Sequence, residues 1–261
     1  MPTTNPAIPA ATLILFRERD NRPAEHLMIE RARNLKFAAG AMVFPGGRVD
    51  EQDHQIAIER ARNKPADLDD AAARVAAIRE TIEETGVAVG IDPLPDAATL
   101  TDWRIALNQG ESFASLLADS RAKLDLNQLI SFARWLPNFA GLRRFDTRFY
   151  LARMTANVSV QVDGGEATRH VWMTAQRLLE DAEAGRHHMI FPTRRNLERL
   201  AAFPAFEAAA AHARTIEPRT ITPWVQTIDG QKWLCIPDDA GYPIVRAPLA
   251  EALKDEAPPR S

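Results

Sequence analysis

Cysteine is nearly absent from this chain. Cys235 is the only one, so no internal disulfide framework can hold the fold, and a reducing compartment is the natural setting. Within Lys232-Trp233-Leu234-Cys235-Ile236 it reads as a small apolar residue of a strand rather than a nucleophile. Long apolar runs are also lacking, and none approaches the roughly 20 residues of a membrane-spanning helix. Neither sign of charge dominates. The 32 Lys and Arg against 35 Asp and Glu leave a formal net charge of -3, which provides no global field for nucleic acid or an anionic membrane. Residues 1–10 lack the basic start and apolar stretch of a secretory signal, so a cytoplasmic location is expected.

What is present suits one large mixed α/β domain: 261 residues, 46% hydrophobic. Residues 11–17 form an apolar run of strand length, 18–25 read as a polar hairpin loop, and 26–31 as a second strand. Residues 34–40 are loop-like, and 41–47 form a short strand ending in a Pro-Gly-Gly turn. A short helix is expected after the acidic residues 50–53, ending before Pro65. The clearest helix runs from residue 68 to 85, with Asp67 or Asp69 as cap and Gly86 at a left-handed end. Its positions Ala71, Val75, Ile78 and Ile82 share the core-facing side. Residues 100–136 carry mostly helical patterning. Strands are expected over 145–154, 158–162 and 171–173, helices over 176–184 and 194–213, and a hairpin over 228–236 around Asp229-Gly230. No internal repeat is visible. Strands recur too irregularly for a βαβ series, which favours a sheet between helices.

The end of the 68–85 helix holds the chemistry. In Arg79-Glu80-Thr81-Ile82-Glu83-Glu84-Thr85-Gly86-Val87, Glu83 lies about 60° behind and Glu84 about 40° ahead of Glu80 around the helix axis. The three carboxylates therefore share one narrow face, opposite Ile78 and Ile82. Upstream, Ala72, Ala73, Ala76 and Ala77 are small and leave room above that face. A solvated acidic surface is the ordinary explanation of such a cluster. Here it is strained: Glu80 and Glu84 are like charges at i,i+4, a few tenths of a kcal/mol unfavourable. All three also crowd the negative end of the helix dipole. Divalent cations with hard oxygen preferences would relieve this, and could clamp a diphosphate. On the residues alone, both explanations stand.

The segment resembles the Nudix hydrolase signature, G-x5-E-x7-R-E-U-x-E-E-x-G-U with U a bulky apolar residue. Gly47 opens it, and Arg79, Glu80, Glu83, Glu84, Gly86 and Val87 fill its later positions. Asp53 stands where the family has Glu, and Thr81 stands at an apolar position. Between Asp53 and Arg79 lie 25 residues against the family's 7, an insertion of 18. The resemblance implies an α/β/α sandwich with a mixed sheet and a helical insertion, one domain over 1–261 with insertions near 54–70 and 95–136 and an extension over 214–261. It implies Mg²⁺ or Mn²⁺ held by Glu80, Glu83 and Glu84, completed by the Gly46 carbonyl. A later acidic residue, with Glu166 the candidate, would join them. One glutamate, often the first, serves as base, and Arg79 orients a carboxylate. By family analogy a homodimer is compatible.

A second similarity concerns substrate. Coenzyme A-cleaving Nudix proteins share L-L-T-x-R-[SA]-x3-R-x3-G-x3-F-P-G-G. This chain has Leu27, Arg31, Ala32, Gly40 and Phe44-Pro45-Gly46-Gly47 at the same spacing, with Met28, Ile29 and Lys36 as replacements. The long insertion, Trp135-Leu136-Pro137, residues 143–150 and Phe191-Pro192-Thr193 resemble the long-insert group related to acyl-CoA diphosphatases. These similarities imply a nucleotide diphosphate substrate, coenzyme A or acyl-CoA before ADP-ribose, NADH or a nucleotide sugar. Arg31, Lys36, Phe44, Gly47 and Arg144 would bind it, and Phe145 or Phe149 could pack on adenine. A Nudix fold that only binds nucleotides, as a regulator, is the non-enzymatic alternative.

Overall fold

A computed structural model of the protein describes residues 6–35, 38–137, 144–154, 160–162, 165–217 and 219–254. Strand β1 (Ile8–Arg19) turns at Asp20-Asn21 into β2 (Arg22–Arg31), and the two pair antiparallel. The expected loop over 18–25 is therefore mostly strand; Asn21, at φ 55°, supplies the tight turn that shortens it. Alternate residues of β1 go to opposite faces. Ile14 and Phe16 enter one apolar cluster, Leu13 and Leu15 the other. Burial on both faces explains why this strand is continuously apolar rather than alternating.

Short β3 (Met42–Val43) pairs with β2, and β4 (Gly46–Arg48) pairs antiparallel with β1 in the register Ala11↔Gly47 and Thr12↔Gly46. The Gly-Gly pair therefore lies in a strand, not in the turn its composition suggested. Helix α1 (Glu51–Arg60) and helix α2 (Leu68–Thr85) follow. Asp67, not Asp69, caps α2 by accepting from the Asp70 N–H at 3.0 Å, and Gly86 ends it at φ 69°. The helix is buried almost all round. Ala72, Ala73, Ala76 and Ala77 are packed into the interior, so they leave no room above the carboxylates; their small size lets α2 sit close to its neighbours. Buried Thr81, at the family's apolar position, donates to the Ala77 carbonyl at 2.7 Å and so leaves no hydroxyl unsatisfied.

Beyond α2 come β5 (Ile91–Asp92), α3 (Ala97–Asn108), α4 (Phe113–Asp119) and β6 (Lys123–Leu124), which pairs with β5. The helical expectation over 100–136 holds to residue 119 and fails after it. β7 (Ile130–Trp135) is a strand of the main sheet, antiparallel to β8 (Phe145–Arg153), which runs parallel to β1. Residues 160–162 are not strand; 158–159 lie outside the described residues. β9 (Ala167–Met173) joins β2, and α5 (Ala175–Glu183) follows. The expected helix over 194–213 is two helices, α6 (Phe191–Leu200) and α7 (Phe206–Thr215), parted near Pro204, whose ring cannot continue a helix. β10 (Thr220–Ile221) extends the main sheet beside β7, giving the order β10-β7-β8-β1-β2-β3. A small antiparallel sheet of β11 (Trp224–Ile228), β12 (Gln231–Cys235) and β13 (Arg246–Pro248), then α8 (Leu249–Lys254), completes the described chain. The hairpin turns at Asp229-Gly230, both at positive φ, and Cys235 is buried as a strand residue.

One face of the main sheet packs with α1 to α4 and the other with α5 to α7, making an α/β/α sandwich around two apolar clusters. Among the described residues no helix is long and apolar enough to cross a membrane.

Candidate active site

Three features of the chain converge on the end of α2. The pairing of β4 with β1 carries Gly46 and Gly47 across it. The Gly46 N–H donates to Glu84 Oε2 at 2.9 Å, and a β-carbon on Gly47 would overlap the Glu80 carboxylate. From the other side, α1 delivers Asp53. Its carboxylate is fully buried and receives two parallel hydrogen bonds from Arg79, Nε to Oδ1 and Nη2 to Oδ2, both 3.0 Å. The same carboxylate accepts from the Asp50 N–H at 2.8 Å, closing a capping box at the start of α1. The insertion after Asp53 thus loops out and returns without moving this acid from the site.

Arg79 is the hub. Beyond Asp53 it donates to the Arg48 carbonyl at 3.0 Å and to Glu80 Oε1 at 2.9 Å, and lies 3.6 Å from Glu83 Oε2. It is therefore more than an i,i+4 partner of Glu83. Burial alone would make its charge harder to keep. The Asp53 hydrogen bonds and the charges of Glu80, Asp53 and Asp50 outweigh that and hold it protonated. Glu80 is pushed up to about 7, first by burial, against the pull of Arg79 and with the push of Glu83. Glu84 lies well above the ordinary carboxylate range, again by burial first and by Glu80 second; the Gly46 N–H and Arg31 act against the shift and Glu166 acts with it. Two crowded carboxylates that resist ionisation are what a positive ligand would stabilise. Among the described residues no three acidic, His or Cys groups are already closed into a ligand cage. The donors themselves, carboxylate oxygens sharing one cleft, suit a hard divalent cation.

These groups line a cleft of about 820 Å³, within the usual size of small-molecule sites. Arg31, Phe44, Glu80, Glu83, Glu84 and Glu166 all contribute to it, as do Gly46 and Gly47. Phe44 is also a core residue, so its ring is held from behind. Glu166 is on an exposed loop whose backbone is tied to the end of β2 by the Ala32 N–H to Glu166 carbonyl bond of 2.8 Å. One expected residue is not among the lining. Arg144 precedes β8 outside the lining of the cleft, where its carbonyl accepts from the Ile8 N–H at 2.8 Å. Lys36 lies outside the described residues.

Two further groups of residues line the cleft. Trp135, Phe145, Phe149, Ile190 and Pro192 make an apolar wall, and Phe145 and Phe149 were visible as candidates. Leu107 and Asn108 come from the end of α3 and Glu111 from the turn after it, with Asn108 Nδ2 donating to the Glu83 carbonyl at 3.0 Å. No local signal marked these, because the insertion is brought to the cleft by tertiary packing alone.

A sandwich of this topology, with three glutamates and a locked arginine ending one central helix, defines a hydrolase of the Nudix type. The chain belongs to the Nudix hydrolase family: the NUDT19 Nudix domain model matches residues 55–200, including all of α2. It is 26% identical to "Putative nudix hydrolase 7" of Caenorhabditis elegans over 245 residues, 89% of this chain and 74% of that protein. It is 24% identical to the acyl-coenzyme A diphosphatase NUDT19 of Xenopus laevis, over 73% of this chain and 63% of that protein's length. The crystal structure of a Nudix hydrolase from Alicyclobacillus acidocaldarius superposes with a TM-score of 0.67 at 26% identity, covering 80% of this chain and 97% of that one. Nudix hydrolases act on small-molecule nucleotide substrates and generally use divalent metal ions.

Proposed function

We propose that this chain hydrolyses the diphosphate of coenzyme A or an acyl-CoA, giving 3′,5′-ADP and (acyl-)phosphopantetheine. The observation that carries the proposal is the convergence of Glu80, Glu83 and Glu84 on a cleft that also has an apolar aromatic wall. The Leu27-to-Gly47 spacing and the similarity to an acyl-CoA diphosphatase favour coenzyme A over other nucleotide diphosphates.

Glu80, Glu83 and Glu84, with the Gly46 carbonyl and Glu166, would hold Mg²⁺ or Mn²⁺. When bound, such an ion polarises the phosphoryl oxygens and lowers the pKa of a water. The chain's own residues do the rest. Asp53 locks Arg79, and Arg79 in turn fixes Glu80 and sets the position of Glu83. The Gly46 N–H holds Glu84. One glutamate, with Glu80 first, takes the proton of the attacking water as its oxygen bonds to phosphorus. The bridging P–O bond breaks, and its electrons leave on the departing phosphate. Arg31, at the end of β2, faces the phosphates, Gly47 allows their close approach, and Phe44 stiffens that wall. The single buried thiol fits a reducing cytoplasm.

Purified protein with Mg²⁺ should release 3′,5′-ADP from coenzyme A faster than it turns over ADP-ribose or NADH. Indifference to coenzyme A with turnover of either rival would transfer the assignment to that rival.

A further inference from the structure

The chain after α7 lies beyond the residues that carry the family match, yet one of its side chains reaches the cleft wall. Trp135, the last residue of β7, lines the cleft and donates its indole Nε1–H to the Tyr242 hydroxyl at 3.0 Å. The two rings meet edge to face, centroids 5.6 Å apart at 84°. The Tyr242 hydroxyl in turn donates to Asn196 Oδ1 on α6 at 2.7 Å. Pro192 and Thr193 at the start of α6 line the same cleft, and Phe191 beside them meets Trp135 edge-on at 6.0 Å.

Below this lies Arg199. Its guanidinium sits over Phe132 at 4.0 Å and over Tyr242 at 5.3 Å, and donates to the Phe132 carbonyl at 2.8 Å. Tyr242, Asn196 and Arg199 are all buried. A phenol hydroxyl has one proton to give. Here that proton is committed to α6 while the oxygen accepts from β7, so two of the elements that build the apolar wall are tied through one atom. Directional hydrogen bonds in a buried cluster restrict how its members can be arranged. The ring alone would fill the space; the hydroxyl adds the hydrogen-bonded link between the indole and α6.

We propose that Tyr242 is a positioning residue that sets Trp135 and the start of α6, and through them the affinity of the cleft for the non-phosphate part of its substrate. This rests on the diphosphatase reading above, and it separates from that reading because the glutamates carry the chemistry and the wall carries binding. Tyr242→Phe should raise KM for coenzyme A about three- to tenfold and leave kcat within about twofold. Inorganic pyrophosphate, which has no base or pantetheine, should inhibit variant and wild type equally. The Trp135 indole proton, assigned by its loss in Trp135→Phe, should exchange with solvent faster in Tyr242→Phe. Should Tyr242→Phe fail to fold, Asn196→Ala frees the same hydroxyl from the other side and should give the same KM rise.

A lowered melting temperature with unchanged KM would show a purely structural tyrosine and overturn the proposal, as would unchanged indole exchange. Loss of kcat with unchanged KM would overturn it too. If wild type turns over only ADP-ribose or NADH, the coenzyme A assignment fails and the KM comparison is made on that substrate. If it turns over none of the three, the diphosphatase reading fails and indole exchange alone decides on Tyr242.

Discussion

Gly46 and Gly47 are adjacent, and a side chain is excluded from each for a different reason. At Gly46 a β-carbon would strike the Ala11 carbonyl and the Thr12 backbone, which belong to the central strand and cannot yield. At Gly47 it would strike only the far end of Glu80, which can swing away. Gly47→Ala is therefore expected to fold with a nearly unchanged melting temperature while displacing the Glu80 carboxylate. Turnover should fall about tenfold or more, since misplacing a reacting group by about 1 Å costs up to 100-fold. Steady-state assays beside thermal melts check this, and full activity would show that Glu80 is not where the reaction occurs. The composition of this segment suggested a turn because turns are the commonest use of paired glycines. The true cause, close approach of β1 and of α2, is non-local and leaves no mark nearby. Asp53 teaches the converse. Its distance in sequence from Arg79 obscured its role, whereas in space it is the anchor of that arginine.

At the scale of elements, α2 was the most legible. Its limits follow from Asp67 and Gly86, local signals that act through the backbone at its two ends. Gly86 is at φ 69° with Arg104 Cδ 3.6 Å from a hypothetical β-carbon, so space is adequate and only conformation opposes a side chain. Gly86→Ala should cost about 1–2 kcal/mol and lower the melting temperature by a few degrees, read by calorimetry; an unchanged midpoint would remove the left-handed cap from the account. β7 was misread as helix because its six residues are too few for a period to declare itself. The break between α6 and α7 was marked by Pro204 but masked by the alanine-rich run after it. Such runs have high helix propensity and weak boundaries.

Across the whole molecule, the site lies where opposite halves of the sandwich meet one sheet. Carboxylates come from α2 on one side, and the aromatic wall comes from β7, β8 and α6 on the other. β1 was legible as an apolar run of strand length and β2 as a second strand. The recruitment of the end of α3 to the cleft and of Tyr242 to its wall was not, because neither carries a pattern that points beyond itself. The C-terminal segment is more than an appendage: Leu234, Ile236, Ala240 and Tyr242 join the same apolar cluster as the wall. The Nudix domain match covers α2 and ends at residue 200, before this segment. Glu83 is the carboxylate on which diphosphate hydrolysis at the end of α2 is best measured. It is half-exposed, pairs with Arg79 at 3.6 Å, and can be replaced by Gln without loss of volume. Release of 3′,5′-ADP from coenzyme A in Mg²⁺ should fall about 100-fold or more in Glu83→Gln while the melting temperature holds. Turnover within twofold of wild type would contradict the account.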